Sequence, residues 1–178
     1  MLLRKAGIVA LHATTSINAL HYIFQASGDN LTRKLAILQA AGWLAIFRQD
    51  IGNAPKLDLA ALNPIGTESK SEEALADIFR TIGQSREQAA AKTLGYLEAG
   101  GANEAIFAAG RRLIFQKGRD SHDYKFAAAA WEESILASDV KSRKLLTASA
   151  MGHFPSSTAA DSPLMVRARE AVAGVLGK

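Results

Sequence analysis

With 178 residues, 48% of them hydrophobic and 21% charged, the chain is long enough to bury a sizeable core and too apolar for extended disorder. It has no cysteine, which excludes disulfides, cysteine-ligated clusters and cysteine nucleophiles and leaves His, Asp and Glu as the strong side-chain ligands for any metal. The net charge of +4 is scattered over pairs such as Arg4-Lys5, Arg33-Lys34, Arg111-Arg112 and Arg143-Lys144, without the dense basic stripe that tracks phosphates, so nucleic acid is not the expected partner.

The chain opens on two basic residues and the apolar run Ala6-Gly-Ile-Val-Ala-Leu11, which His12 ends too soon for a signal peptide. A cytoplasmic protein is therefore expected. Residues 6–28 carry no Asp, Glu, Lys or Arg, yet hold His12, Thr14, Thr15, Ser16, Asn18, His21 and Gln25, which is too polar for a membrane span. The pattern predicts a long inner helix with Gly28 at its C-cap. A second helix over 31–48, capped by Asp29 or Asn30, has only Gln39 as a polar side chain between Leu35 and Phe47. The short turn between the two predicts an antiparallel hairpin buried at the centre of the fold.

Residues 51–70 contain two prolines and two glycines and read as a long connection, with at most one helical turn near Leu57 to Leu62. Helix signals then follow closely. Ser71 opens one helix, Ser85 with Gln88 another that Gly100-Gly101 ends, and Asn103 a third that stops at Gly118. Asp120 or Ser121, Ser138 or Asp139, and Ser162-Pro163 open the remaining three. No alternating β-branched run appears and no repeat recurs. The expected fold is all-α: an irregular bundle of about seven to eight helices forming a single domain over residues 1–178.

Two segments carry candidate chemistry. On the first helix Val9, Ala13, Ile17, Leu20 and Phe24 mark the apolar centre, Thr14, Asn18 and His21 form an adjoining stripe, and Thr15 lies one turn from His12. Such groups are either satisfied within the core or form the polar wall of a pocket, because leaving one unpaired costs about 1–3 kcal/mol. The second segment is Gly118-Arg-Asp-Ser-His-Asp-Tyr-Lys-Phe126. Its acidic and hydroxyl residues suit a helix N-terminus, whereas His122 and Lys125, three apart on one face, are disfavoured there and suit proton transfer or anion contact. His122-Asp123 also resembles the metal pair of HD phosphohydrolases, but no histidine stands at a suitable distance upstream.

Together, His12-Ala-Thr-Thr-Ser-Ile-Asn-Ala-Leu20 and Asp120-Ser-His-Asp-Tyr-Lys-Phe-Ala-Ala-Ala129 resemble two helices of the questin-oxidase-like proteins. The resemblance implies a helical oxidoreductase of the monooxygenase type, performing Baeyer–Villiger-type oxidation of polycyclic aromatic ketides. His12 and Thr15 match its His-x-x-Thr motif, and Asp120, His122 and Lys125 its Asp-x-His-x-x-Lys motif. On this reading His12, His122 and Lys125 are the catalytic candidates, with His12 and His122 as the ligands of any metal. Thr15, Asn18, His21, Trp43 and Asp120 contact a small apolar or aromatic substrate. NADPH or a His-ligated metal is the cofactor to consider, and a homodimer is the assembly that could complete the pocket. The competing expectation is a non-catalytic helical domain that binds a ligand or a protein, with an apolar stripe on the last helix as its contact surface.

Overall fold

Among the described residues, six of the eight α-helices begin at an Asp or Ser whose side chain accepts a backbone N–H from the first turn, as predicted from residue type. The computed structural model describes residues 1–54, 57–66 and 68–177; Pro55, Lys56 and Thr67 of the predicted connection, and Lys178, lie outside the described residues. The helices are α1 (Ile8–Ala26), α2 (Asn30–Ile51), α3 (Glu72–Thr81), α4 (Arg86–Glu98), α5 (Asn103–Lys117), α6 (Ser121–Leu136), α7 (Val140–Ser149) and α8 (Pro163–Leu176). Two 3-10 turns, Leu59–Ala61 and Ala150–Gly152, complete the regular structure, and no strand occurs among the described residues. No helix among them is long and apolar enough to cross a membrane.

Asp29, Asp120 and Asp139 each cap a helix, and the backbone N–H groups of Thr32, His122 and Ser142 hold their carboxyls below the usual carboxylate range. These caps are fully charged at neutral pH. Their contribution is lost as acid protonates them.

The centre of the molecule is α4. Ala89, Ala90, Ala91, Thr93, Leu94, Gly95, Tyr96 and Leu97 are all buried, and α4 packs against α3, α7 and the turn at 150–152. Small side chains permit that close approach. A Cβ on Gly95 would lie 1.9 Å from the carbonyl oxygen of Ile65, whose own N–H donates to the Ala91 carbonyl at 3.1 Å. Gly95→Ala therefore gains helix propensity of about 1 kcal/mol but drives the 57–66 segment off α4. A net loss of roughly 1–3 kcal/mol is expected, read as a lower denaturant midpoint.

α6 lies between α1, α5 and α7. A largely buried polar network joins α5, α6 and α7. Asn103 donates to Ser134 at 3.0 Å, Ser134 donates to the Trp131 carbonyl at 2.7 Å, and the Thr147 hydroxyl bonds both Asn103 and the Arg143 carbonyl.

The first hairpin departs from expectation. α1 and α2 pack on each other, but the pair stands at the margin, and α2 buries only Ala36 and Ile51. Of α1, Ala10, Leu11 and Ala13 are buried, against α6 and the core rather than inside a ring of helices. The apolar content of α2 reports what that helix would gain by burial. It does not supply an element to cover its outer face, and no described helix does so.

Candidate functional site

α1 and α6 run side by side in the same direction, as their cross-contacts show. His12 meets His122 near the start of both helices, with ring centroids 5.2 Å apart and planes tilted by 59°. Further along, Asn18 Nδ2 donates to Glu132 at 2.9 Å and to Glu133 at 3.2 Å, and His21 Nδ1 donates to the Glu133 carboxylate at 2.9–3.0 Å. Gln25 completes the row, its amide nitrogen 3.0 Å from His21 Nε2. Asn18 and His21 of the polar stripe of α1 thus find their partners on α6, while Thr14 donates to the Ala10 carbonyl within α1.

The two histidines singled out from the sequence therefore come together, and Asp120 belongs with them. One Asp120 oxygen accepts the His122 N–H at 2.8 Å and the imidazole Nδ1–H at 3.2 Å. The other candidates lie elsewhere. Thr15 donates to the Leu11 carbonyl one turn back, at 3.3 Å, and Lys125 is exposed with no salt bridge among the described residues. Trp43 is 40% exposed on α2, edge-on to Phe47 at 5.9 Å. Asn18 and His21 are engaged by Glu132 and Glu133. Among the described residues no three His, Cys, Asp or Glu gather into a metal site, so the His12–His122 pair lacks the further donor that a stable metal centre requires. A dinucleotide site of the strand–turn–helix kind is likewise unsupported, since it needs a sheet.

The most apolar hollow among those described is not at the histidines. A cavity of about 320 Å³ lies between the N-terminal segment, α1, α2, α6 and α7, walled by Leu2, Ala13, Ile17, Leu44, Ala130 and Leu146 among others. Ala10, Ala13, Thr14 and Ile17 line it at the i, i+3, i+4, i+7 spacing of one helix face. His12, two residues on from Ala10, lies about 200° around the helix, and neither His12 nor His122 borders the cavity. The polar side chains at its wall are already engaged: Thr14 with the Ala10 carbonyl, Ser149 with that of Leu146, Arg4 with that of Ala54, and Glu133 with Asn18 and His21. Met1 also borders it, and burial lowers the pKa of its amino group.

A second, polar cavity of about 550 Å³ opens between the α3–α4 turn, the start of α6 and residues 153–160. Here His153 Nε2–H donates to Asp123 at 3.2 Å, while Asp123 also accepts the Arg119 N–H at 2.8 Å. Arg86 donates to the carbonyls of Met151 and Phe154 at 2.7 and 3.1 Å, and Lys117 binds Asp161 and the Ala159 carbonyl. These cations pin the non-helical segment that follows α7. Burial pushes the His153 imidazole below its usual pKa, with Asp123 partly opposing the shift. A neutral, buried histidine contributes stability above the unfolded pKa of about 6.5 and loses it as pH falls through the lower folded value. Acidification below about pH 6.5 should therefore destabilise the protein, and His153→Gln should flatten that part of the stability–pH profile measured by denaturant titration.

Sequence reasoning overlooked His153, because it sits in no helix, and Glu132-Glu133, which form the acidic complement to the charge-free α1. Comparison with protein-family models, curated proteins and solved structures finds no match to this chain.

Proposed function

We propose that this chain is a binding domain for a small, largely apolar molecule, aromatic or aliphatic, seated in the cavity between α1, α6, α7 and the N-terminal segment. The observation that carries this reading is the character of the cavity. Its wall is mainly aliphatic, and its four polar side chains, Arg4, Thr14, Glu133 and Ser149, already have partners, so shape and apolar area would dominate the choice of ligand. At about 320 Å³ it is roughly twice the ~150 Å³ hollow that accepts benzene, which suits a two-ring aromatic or a branched chain of similar bulk. Titration with a neutral fluorophore such as N-phenyl-1-naphthylamine should show saturable binding at one molecule per chain, competed by naphthalene-sized hydrocarbons. Weak, unsaturable uptake would count against the reading.

The 5.2 Å approach of His12 and His122 supports a second reading, an oxidoreductase-like enzyme as the questin-oxidase resemblance implies. The binding reading is the better supported, because the imidazole pair lies on another face of α1 from the cavity. The two part on His12→Ala. In both, ligand affinity is unchanged; only in the second does any product formed from the bound molecule disappear.

A further inference from the structure

The outer face of α2 repeats with the spacing of a coiled-coil seam. Leu31, Leu35, Leu38, Gly42, Ala45 and Gln49 follow one another at intervals of four and three residues, and all six are exposed. Leu31, Leu35 and Leu38 are 64%, 55% and 67% exposed, with Ile46 beside the stripe at 55%. No charge interrupts the row, and a Cβ added at Gly42 would meet nothing within 4 Å. Scattered exposed leucines are ordinary on a surface; a continuous apolar row of this length on one helix marks a contact.

We infer that this face pairs with the same face of a second copy, the two α2 helices running antiparallel about a two-fold axis near residue 40. The row is bulky in its first half, and Gly42 and Ala45 leave space in its second. Antiparallel pairing sets Leu38 over the partner's Gly42 and Leu35 over the partner's Ala45, so that knobs meet space at the four inner layers, while Leu31 lies against the stem of the partner's Gln49 at each end. Parallel pairing would put Gly42 against Gly42 and leave a gap. The row is uncharged and so requires no oppositely charged partner, and a two-fold contact of this kind is self-complementary by construction. A helix of 22 residues is about 33 Å long and 10–12 Å across, so two laid side by side with their flanking side chains bury on the order of 1,000 Å² in total. That lies at the lower edge of specific interfaces and makes the dimer dependent on concentration. On one flank Lys34 approaches the partner's Arg48, a like-charged contact that salt screens, so added salt strengthens the dimer.

Sedimentation velocity on the whole chain tests this. The wild type should move from monomer to dimer between low micromolar and near-millimolar concentration, with the transition shifted to lower concentration by salt. Leu35→Glu combined with Leu38→Glu should weaken the dimer at least tenfold without loss of helical circular dichroism, and Gly42→Leu should do the same by filling the space its counterpart needs. Because the chain has no cysteine, Gly42→Cys, in the seam close to the axis, should form a disulfide-linked dimer on mild oxidation, whereas Leu31→Cys, far from the axis, should not. A wild type that stays monomeric throughout, a Glu variant that sediments as the wild type does, or cross-linking at Leu31→Cys but not Gly42→Cys would overturn the proposal.

Discussion

Phe154→Ala should cost about 3–5 kcal/mol and lower the melting temperature by roughly 6–20 °C, the largest stability effect expected of a single truncation in this protein. Phe154 is fully buried, although it lies outside every helix. Its ring meets Phe79 at 6.0 Å, Phe107 at 5.8 Å and Phe126 at 5.9 Å, so three helices, α3, α5 and α6, converge on it. The surroundings have no means to collapse into the hollow. Gly110 of α5 already lies so close that a Cβ there would be 2.6 Å from the Phe154 ring, and Met151 and Ala150 on the near side are themselves fully buried. Aromatic contacts add about 0.5–1.5 kcal/mol per pair beyond area, which places the result toward the upper part of the range. Against a total stability of about 5–15 kcal/mol the loss is severe, and thermal unfolding by circular dichroism would read it directly. A variant melting within a degree or two of wild type would show that this ring is not the hub of the core.

Ala13→Phe should abolish ligand binding while leaving the fold intact. Ala13 is buried on α1 and faces the apolar cavity, and a phenyl ring on its Cβ would occupy the space that the proposed ligand takes. Filling a hollow of this kind with apolar atoms tends to stabilise, so the melting temperature should hold or rise even as affinity for N-phenyl-1-naphthylamine falls by at least tenfold, about 1.4 kcal/mol. That opposite movement of stability and affinity separates a blocked site from a damaged protein. Leu35→Glu on the outer face of α2 supplies the control, because it removes apolar surface without touching the cavity and should leave the affinity unchanged.

The helix count and helix starts were legible in the sequence for a local reason. Caps act within one turn, so Asp29, Ser71, Ser85, Asp120, Asp139 and Ser162 could be recognised from their neighbours alone. Burial is not local, and there the reading went astray. α2, with only Gln39 polar between Leu35 and Phe47, stands at the margin, whereas α4, which carries Arg86, Lys92 and Thr93, is the central helix. Its polar groups are compatible with burial because each reaches a partner: Thr93 donates to the Ala89 carbonyl at 2.8 Å, Lys92 pairs with Asp77, and Arg86 holds the segment after α7. Alanines, which carry little hydrophobic weight in a sequence, let α4 pack closely.

The candidate site was legible in part. The approach of His12 to His122 follows from two helices whose polar residues match in order, and the sequence did pair those segments. The cavity was not legible, since it is walled by residues from six separate stretches, among them Leu2, Ile17, Leu44, Leu57 and Ala130, that no spacing rule connects. His153 escaped notice for the same reason: its partner Asp123 is 30 residues away, and the hydrogen bond exists only once the chain after α7 folds back under Arg86.

Methyl-resolved NMR of alanine-labelled protein, titrated with an apolar two-ring hydrocarbon, tests the central claim most directly. The account predicts saturable shifts confined to Ala10, Ala13 and Ala130, with Ala41 and Ala45 on the outer face of α2 unmoved at the same ligand concentration. Shifts at Ala41 and Ala45 with none at Ala13 and Ala130 would contradict it, since the ligand would then be adsorbing to the exposed helix rather than entering the cavity.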